Sequence, residues 1–130
     1  MSPRRTVLYA EDEAPLRGLV EFWLGDAGYR VLLAADGAEA LALVRAEHPD
    51  LVITDAMMPN LSGDELVEIM KSDPDLREIP IVMATAAASP LRIERMLERG
   101  CHAVLGKPLD EESFLAAAAA ALAAAEEPTS

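Results

Sequence analysis

Short apolar runs alternate with longer amphipathic stretches along most of the chain. Five runs have the length of buried strands, at 6–10, 30–34, 51–55, 79–85 and 101–105. The stretches after them place apolar residues at helical spacing and predict helices at 14–27, 38–46, 63–72, 90–99 and 111–125. Strict alternation of strand and helix predicts parallel strands in one sheet with helices on both faces, which is an α/β doubly wound fold.

The first predicted helix carries one apolar stripe, formed by Leu16, Leu19, Val20, Trp23, Leu24 and Ala27. Phe22 lies roughly a third of a turn from the centre of this stripe, so we expect an exposed aromatic side chain there. In the fourth helix, the residues expected to face the core are Leu91, Met96 and Leu97.

Length and composition indicate one globular domain. The 130 residues predict a single domain at 1–130, with a core at about 5–125 and a frayed tail at 126–130. Aromatic residues make up only 4% of the chain, so aliphatic side chains must fill the core. The lone Cys101 cannot form an internal disulfide and is expected to be a small buried residue.

The net charge of -12 argues against binding to nucleic acid or to anionic membrane surfaces, because phosphates would be repelled. The classes of binding partner that remain are metal ions, basic partner surfaces, or a small anion brought in with a cation. The sequence shows no apolar leader and no run of membrane-spanning length, and a cytoplasmic location is therefore expected.

Polar residues stand directly at the carboxyl ends of four predicted strands. Glu11 and Asp12 follow the first strand, Asp55 ends the third, Thr85 ends the fourth and Lys107 follows the fifth. These ends lie at the edge of a doubly wound sheet where ligands bind. Crowded carboxylates repel one another, and an all-oxygen ligand set suits Mg²⁺. Asp55 can then act as a carboxylate nucleophile that forms an aspartyl phosphate, with the Lys107 ammonium and the Thr85 hydroxyl on other phosphoryl oxygens.

With these motifs the chain resembles the receiver domains of bacterial two-component response regulators. The resemblance rests on Ala-Glu-Asp-Glu after the first strand, Thr-Asp-Ala-Met-Met-Pro at Asp55, Ala-Thr-Ala at Thr85 and Gly-Lys-Pro at Lys107. It covers essentially the whole chain from Thr6 onward. It implies a flavodoxin-like receiver fold with the strand order 2-1-3-4-5.

The resemblance also implies roles for individual residues. Asp55 would receive a phosphoryl group from a histidine kinase or a histidine phosphotransfer protein. Asp12, Asp55 and the backbone carbonyl of Met57 would bind Mg²⁺, and Glu11 would help directly or through water. Thr85 and Lys107 would contact the phosphoryl group, and the peptide bond that follows Lys107 is expected to be cis. Such a protein is a phosphoacceptor that assists its own phosphorylation and dephosphorylation rather than an enzyme.

The sequence departs from the family pattern at several positions. Glu11 stands where aspartate is commoner, and Val104 replaces the aromatic residue that moves inward during activation in many relatives. Met57 and Ala87 flank the site, and neither side chain can orient an attacking water, which predicts slow self-dephosphorylation.

We therefore expect a stand-alone receiver that signals through protein contacts with a downstream partner that the sequence does not identify, as a monomer or a weak phosphorylation-dependent dimer. The exposed Phe22 is a candidate anchor for the phosphoryl donor, and Arg92, Arg95 and Arg99 form either a basic contact strip or a solvated face. Three alternatives remain: a phosphorelay intermediate or phosphate sink, which Val104 favours; a constitutive binding module; and a phosphohydrolase with an aspartyl nucleophile.

Overall fold

A computed structural model describes residues 4–126. The strands are β1 Thr6–Ala10, β2 Arg30–Ala34, β3 Leu51–Asp55, β4 Ile81–Thr85 and β5 Ala103–Gly106. The helices that follow them are α1 Ala14–Asp26, α2 Gly37–Glu47, α3 Gly63–Ser72, α4 Pro90–Glu98 and α5 Glu111–Glu126. Among these described residues, no helix combines the length and the apolar character needed to cross a membrane.

The strands form one parallel sheet in the order β2-β1-β3-β4-β5, which confirms the predicted fold and strand order. The register pairs Ala10 with Thr54, Asp55 with Ala84 and Thr85 with Gly106. The carboxyl ends of β1, β3, β4 and β5 are therefore level with one another. The residues that end or follow these strands meet at one edge of the sheet, as the alternation of elements predicted.

Two apolar layers cover the faces of the sheet. On one face, Leu8 and Val52 pack with Leu66 of α3 and Met96 of α4. On the other face, residues of α1 and α5 pack on the sheet, among them Trp23 and Phe114; the ring of Phe114 meets the Tyr9 ring edge-on at 5.9 Å. Neighbouring residues of β1 thus belong to opposite layers, because successive strand side chains point to opposite faces.

The core assignments from helical spacing were correct for the residues facing the sheet and wrong at the margins of the helices. Trp23 and Met96 are buried as predicted, and Phe22 is 66% exposed as predicted. Leu19, Leu91 and Leu97 were expected in the core but are 47%, 57% and 46% exposed. The helices α1 and α4 contact the sheet along a narrower strip than the apolar spacing suggested, so these outer residues remain in solvent.

Two strands begin two residues later than the sequence predicted. β4 starts at Ile81 because Pro80 has no N–H to donate; its carbonyl accepts the Val52 N–H at 3.0 Å instead. β5 starts at Ala103 because the Cys101 N–H still donates to the Met96 carbonyl at the end of α4. Gly100 makes this exit possible with φ +110°, a conformation that favours glycine.

The last helix extends one residue beyond the predicted end. α5 includes Glu126, whose carboxylate forms an ion pair with Arg5 beside β1. The tail was expected to begin at this residue, directly after a helix predicted to end at Ala125. The remainder of the predicted tail, at 127–130, lies outside the described residues.

Candidate functional site

Lys107 joins two carboxylates at the edge of the sheet. Its Nζ donates to Glu11 Oε1 at 2.6 Å and to Asp55 Oδ2 at 2.7 Å, which brings the ends of β1, β3 and β5 together. We call these three residues the carboxylate–lysine cluster. The peptide bond between Lys107 and Pro108 is cis, as the resemblance implied. Of the cluster, Glu11 is fully buried and Asp55 is 7% exposed.

The charged state of Lys107 is stabilised by this arrangement. Burial by itself would lower the pKa of the ammonium, but its hydrogen bonds and attraction to Asp55 and Glu11 outweigh burial and raise the pKa. A raised pKa means that Lys107 carries a full positive charge at neutral pH. The cluster therefore holds one cation against two buried or nearly buried carboxylates.

Glu11 is held by more contacts than its sequence position suggested. Its side chain accepts hydrogen bonds from the Tyr9 hydroxyl at 3.3 Å and from the Glu13 N–H at 3.2 Å, and Arg17 donates to its backbone carbonyl at 2.7 Å. Burial raises the pKa of Glu11, although the bonds from Lys107 and Glu13 oppose this. Burial and the neighbouring Glu11 also raise the pKa of Tyr9, so its hydroxyl stays protonated and can donate.

Sequence reasoning missed Tyr9 and Arg17 as members of the site. Tyr9 was one residue of an apolar strand, and Arg17 was one of the polar positions of α1. The available signal was the spacing of two residues between Tyr9 and Glu11, which places both side chains on one face of an extended segment.

Three carboxylates converge on a position that suits a divalent cation. One carboxylate oxygen from each of Glu11, Asp12 and Asp55 lies within 4.8 Å of the other two. Of these three residues, Asp12 is exposed to solvent. Two oxygens on opposite sides of one magnesium ion lie about 4.2 Å apart, so small side-chain adjustments fit all three around it. The Met57 N–H donates to Asp55 Oδ1 at 3.3 Å, which places the Met57 backbone beside the same carboxylate. The residues present thus fit the oxygen ligand set that Mg²⁺ prefers.

Thr85 ends β4 at the margin of the same site. Its side chain is almost fully buried; the hydroxyl accepts the Ala87 N–H at 3.2 Å, and the carbonyl accepts the Lys107 N–H at 3.0 Å. Thr85 and Ala87 line an open cleft of about 610 Å³ together with Asp12 and Met57. The structure thus brings all the residues predicted for the site to one edge of the sheet.

An ion pair that the sequence did not predict also lines this cleft. Arg92, near the start of α4, donates from Nη2 to both carboxylate oxygens of Asp64 in α3, at 2.8 and 3.0 Å. We call these two residues the α3–α4 ion pair. Arg92 had been placed only in an exposed basic strip, whereas its side chain is 30% exposed and its charge is paired.

Gly63 lets the start of α3 approach the end of β3. A Cβ atom at this position would lie 2.1 Å from the backbone carbonyl oxygen of Asp55. The Gly63 N–H donates to the Ala56 carbonyl at 2.9 Å, which ties the helix start to the loop after Asp55. Ser62 caps this helix through a capping box with Glu65. Close packing therefore fixes the backbone that carries Asp55.

Comparison with known proteins identifies the family to which this chain belongs. The model of the response regulator receiver domain matches residues 7–119. The polar-differentiation response regulator DivK of Brucella ovis is 34% identical over 111 residues, covering 85% of this chain and 90% of DivK. The chain therefore belongs to the response regulator receiver domain family.

Solved structures agree with this assignment. The chemotaxis response regulator CheY4 of Vibrio cholerae is 33% identical and superposes with a TM-score of 0.85, covering 92% of this chain and 99% of CheY4. The receiver domain of the sensor histidine kinase PA1611 of Pseudomonas aeruginosa, solved with a magnesium ion in its active site cleft, is 26% identical with a TM-score of 0.84, covering 93% of this chain and 99% of that domain. The receiver domain of the Francisella response regulator 1452 is 24% identical and superposes with a TM-score of 0.89. The match covers 95% of this chain and all of that domain, and it supports the fold.

Membership defines the function in broad terms. Receiver domains are signalling domains that interact with histidine kinases or phosphotransfer proteins, and they typically bind Mg²⁺. The acidic group of Glu11, Asp12 and Asp55 is the place in this chain that could hold the ion.

Proposed function

We propose that this protein accepts a phosphoryl group on Asp55 from a phosphohistidine donor in a Mg²⁺-dependent reaction. The observation that carries the proposal is the carboxylate–lysine cluster, in which Asp55 Oδ2 lies 2.7 Å from the Lys107 ammonium. A lysine at that distance can hold the carboxylate before transfer and a phosphoryl oxygen after it. Family membership supports the same role for Asp55.

The transfer replaces one bond to phosphorus by another. A carboxylate oxygen of Asp55 attacks phosphorus, the bond between phosphorus and the donor imidazole nitrogen breaks, and that nitrogen takes the electron pair and then a proton from water. Lys107 stabilises negative charge on the phosphoryl oxygens as the group moves. Asp12, Asp55 and the Met57 carbonyl, with help from Glu11, would hold Mg²⁺, which would supply further charge neutralisation.

Thr85 is proposed to bind a phosphoryl oxygen through its hydroxyl. In the unphosphorylated protein this oxygen accepts the Ala87 N–H at 3.2 Å, so its own hydrogen remains available for donation. A phosphoryl group on Asp55 offers strong acceptor oxygens at the same end of the sheet. The hydroxyl can then bridge the phosphoryl group and the loop between β4 and α4.

The donor is proposed to dock on the outer side of α1. Leu19 and Phe22 are exposed there, and Leu16 and Leu19 line an apolar depression together with Pro108, which adjoins Lys107. A donor helix seated on this surface would lie beside the phosphorylation site. Phe22→Ala is expected to slow transfer from the cognate donor, with Leu97→Ala on α4 as the matched control. An unchanged transfer rate for Phe22→Ala would remove this part of the proposal.

Signalling is proposed to proceed through contacts with a downstream protein. The alternative of a phosphorelay intermediate or phosphate sink is favoured by one observation. Val104 packs in the apolar layer beside Met83 and has no ring that could move inward, so the usual aromatic switch is missing. A constitutive binding module is the further alternative, and a site without phosphoacceptor activity would favour it.

Intact mass spectrometry after incubation with acetyl phosphate and Mg²⁺ tests the proposal. The native protein should gain one phosphoryl group, and the gain should disappear on chelation of the metal. Asp55→Asn should gain none, whereas Asp50→Asn, at an acid outside the cleft, should behave as the native protein. A gain that survives in Asp55→Asn would contradict the assignment of the acceptor.

A further inference from the structure

The α3–α4 ion pair lines the cleft beside the proposed phosphoacceptor, since Ala56, which follows Asp55, lines the same cleft. Asp64 and Arg92 line this cleft together with Asp12, Met57 and Thr85. Both members are partly shielded, with side-chain exposures of 30% for Arg92 and 31% for Asp64. The pair connects the first turn of α3 directly to the first turn of α4.

The two charges differ in how well they suit their helices. Asp64 is the second residue of α3, where the positive end of the helix dipole favours an acid. Arg92 is the third residue of α4, where the same dipole disfavours a cation. Arg92 therefore needs an anion nearby, and Asp64 supplies it in the unphosphorylated protein.

The guanidinium of Arg92 has unused hydrogen-bonding capacity. Both bonds to Asp64 come from Nη2, and no hydrogen bond is made by Nε. Within residues 4–126, Nε of Arg92 is the one buried side-chain nitrogen or oxygen without a partner. A buried donor without an acceptor is costly, and a second anion beside it would remove that cost.

We propose that Arg92 exchanges Asp64 for the phosphoryl oxygens when Asp55 is phosphorylated, and so couples phosphorylation to the position of α4. This inference rests on the proposed function. Arg92 is the moving contact, and Asp64 is the positioning residue that holds it in the unphosphorylated state.

Charge and geometry both favour this exchange. A phosphoryl group brings close to two negative charges and three strong acceptor oxygens, whereas Asp64 brings one charge. The planar guanidinium fork fits phosphoryl oxygens through two parallel bonds, and one of them can come from the unused Nε. An ion pair that is about a third exposed contributes little to stability, so Asp64 is a weak competitor.

The exchange gives this chain a connection to α4 that does not need an aromatic residue at position 104. Arg92 is separated from Thr85 only by the loop at 86–89 and the first residues of α4. Movement of its guanidinium towards Asp55 would pull that loop and the first turn of α4 together. The neighbouring Leu91 is 57% exposed on the same turn, so its surface would move with them.

Nuclear magnetic resonance of the arginine Nε–H groups tests the exchange directly. The resonance of Arg92 is assigned by its loss in Arg92→Gln, and that of Arg95 by its loss in Arg95→Gln. Beryllium trifluoride with Mg²⁺ serves as a stable mimic of the phosphoryl group. We expect the Nε–H resonance of Arg92 to shift when the mimic binds. The resonance of Arg95, which lies about one turn further along α4, should not shift. Mg²⁺ alone should leave the Arg92 resonance where it is.

Substitutions at Asp64 and Arg92 distinguish the proposed exchange from an ion pair that only supports the fold, and Arg95→Gln is the control. Asp64→Asn should shift the Arg92 resonance before any mimic is added and should lower the half-saturating concentration of the mimic, because competition is removed. Arg92→Gln should raise that concentration about tenfold, the size expected for one charge-assisted hydrogen bond. Arg92→Lys should recover part of the loss through charge alone, whereas Arg95→Gln should bind the mimic as the native protein does.

The outcomes distinguish this inference from the function on which it rests. If Asp55 binds the mimic and gains a phosphoryl group from acetyl phosphate while the Arg92 resonance stays unchanged, the exchange is wrong and the proposed function stands. If Asp64→Asn and Arg92→Gln weaken binding equally, the pair is only structural. If neither the mimic nor acetyl phosphate reacts with the native protein, the proposed function fails and the exchange fails with it.

Discussion

The carboxylate–lysine cluster and the α3–α4 ion pair lie in one small region but are built in opposite ways. The cluster joins residues at the ends of three strands, and its Glu11 is fully buried with four donors on its side chain and backbone. The ion pair joins two helix starts, and both of its side chains are about a third exposed to solvent. The cluster is therefore fixed by the sheet, whereas the pair depends on how two helices lie.

Because of this difference, the cluster is suited to the chemistry of phosphoryl transfer, whereas the ion pair is suited to respond to phosphorylation. A group that must present a nucleophile benefits from a rigid, desolvated setting, where each charge has a fixed partner. A group that must respond to phosphorylation benefits from a weak, replaceable partner, because a small change in charge can then shift it.

Loss of the cation from the cluster should have the largest effect. Lys107→Met leaves Glu11 buried without its charge partner and should lower the free energy of unfolding by about 3 kcal/mol. It should also abolish phosphorylation by acetyl phosphate. Urea denaturation and intact mass measure the two effects. Lys71→Met, which removes an exposed hydrogen bond from Lys71 to the Arg77 carbonyl, is the control and should change stability by less than about 1 kcal/mol. Equal losses in the two variants would contradict the rigid, desolvated account of the cluster.

A methyl group at Gly63 tests how tightly the backbone at Asp55 is fixed. Gly63→Ala places Cβ against the Asp55 carbonyl, at a distance that requires the backbone to shift, and should destabilise the fold by about 2 kcal/mol. Gly18→Ala is the matched control, because nothing lies within 4 Å of its Cβ position in the middle of α1. It should stabilise the fold by about 0.5 to 1 kcal/mol through helix propensity. Thermal denaturation of both variants checks the signs, and destabilisation of similar size in both would contradict the prediction.

The side chains at the mouth of the cleft should set the lifetime of the phosphoryl group. Met57 is 74% exposed and lines the cleft with Ala87, and neither side chain can orient water. Met57→Asn introduces an amide that can do so and should shorten the lifetime about tenfold, equivalent to about 1.4 kcal/mol in the barrier. Met57→Leu should leave the lifetime unchanged. Decay of the adduct mass with time measures each value, and loss within seconds from the native protein would rule out slow self-dephosphorylation.

The exposed carboxylate of Asp36 should have the smallest effect on stability. It serves as a reference for the buried carboxylates of the cluster. The Glu39 N–H and the Asn60 amide donate to Asp36 and hold the pKa of its carboxyl below the usual value. Its stabilising effect is therefore present above the pKa of the unfolded chain and is lost as the pH falls through the lower folded value. The gap in melting temperature between the native protein and Asp36→Asn should close on acidification over that range. A gap that widens in acid would contradict the assignment.

The sequence predicted the cluster well because its geometry follows from topology. Once the strands are parallel and alternate with helices, Glu11, Asp55 and Lys107 must end at one edge of the sheet. Opposite charges at that edge then pair. The strand bounds of β1, β2 and β3 were also predicted correctly, because short apolar runs with clear ends leave little choice of register.

The α3–α4 ion pair could not be predicted in the same way. Asp64 and Arg92 are 28 positions apart, on two helices whose packing on the sheet decides which side chains meet. Their spacing in the sequence carries no signal of this contact. The exposure of Leu91 and Leu97 escaped prediction for the same reason, since helical spacing does not say how wide a strip of α4 rests on the sheet.

The proposed phosphoacceptor is Asp55. This assignment is tested most directly by borohydride reduction of the protein after incubation with a phosphorylated histidine phosphotransfer protein and Mg²⁺. Reduction converts an aspartyl phosphate to homoserine, and peptide mass mapping then locates the converted residue. We expect homoserine at position 55, with Asp12 and Asp64 unchanged. Conversion at another acid, or phosphoryl transfer that leaves Asp55 intact, would contradict it.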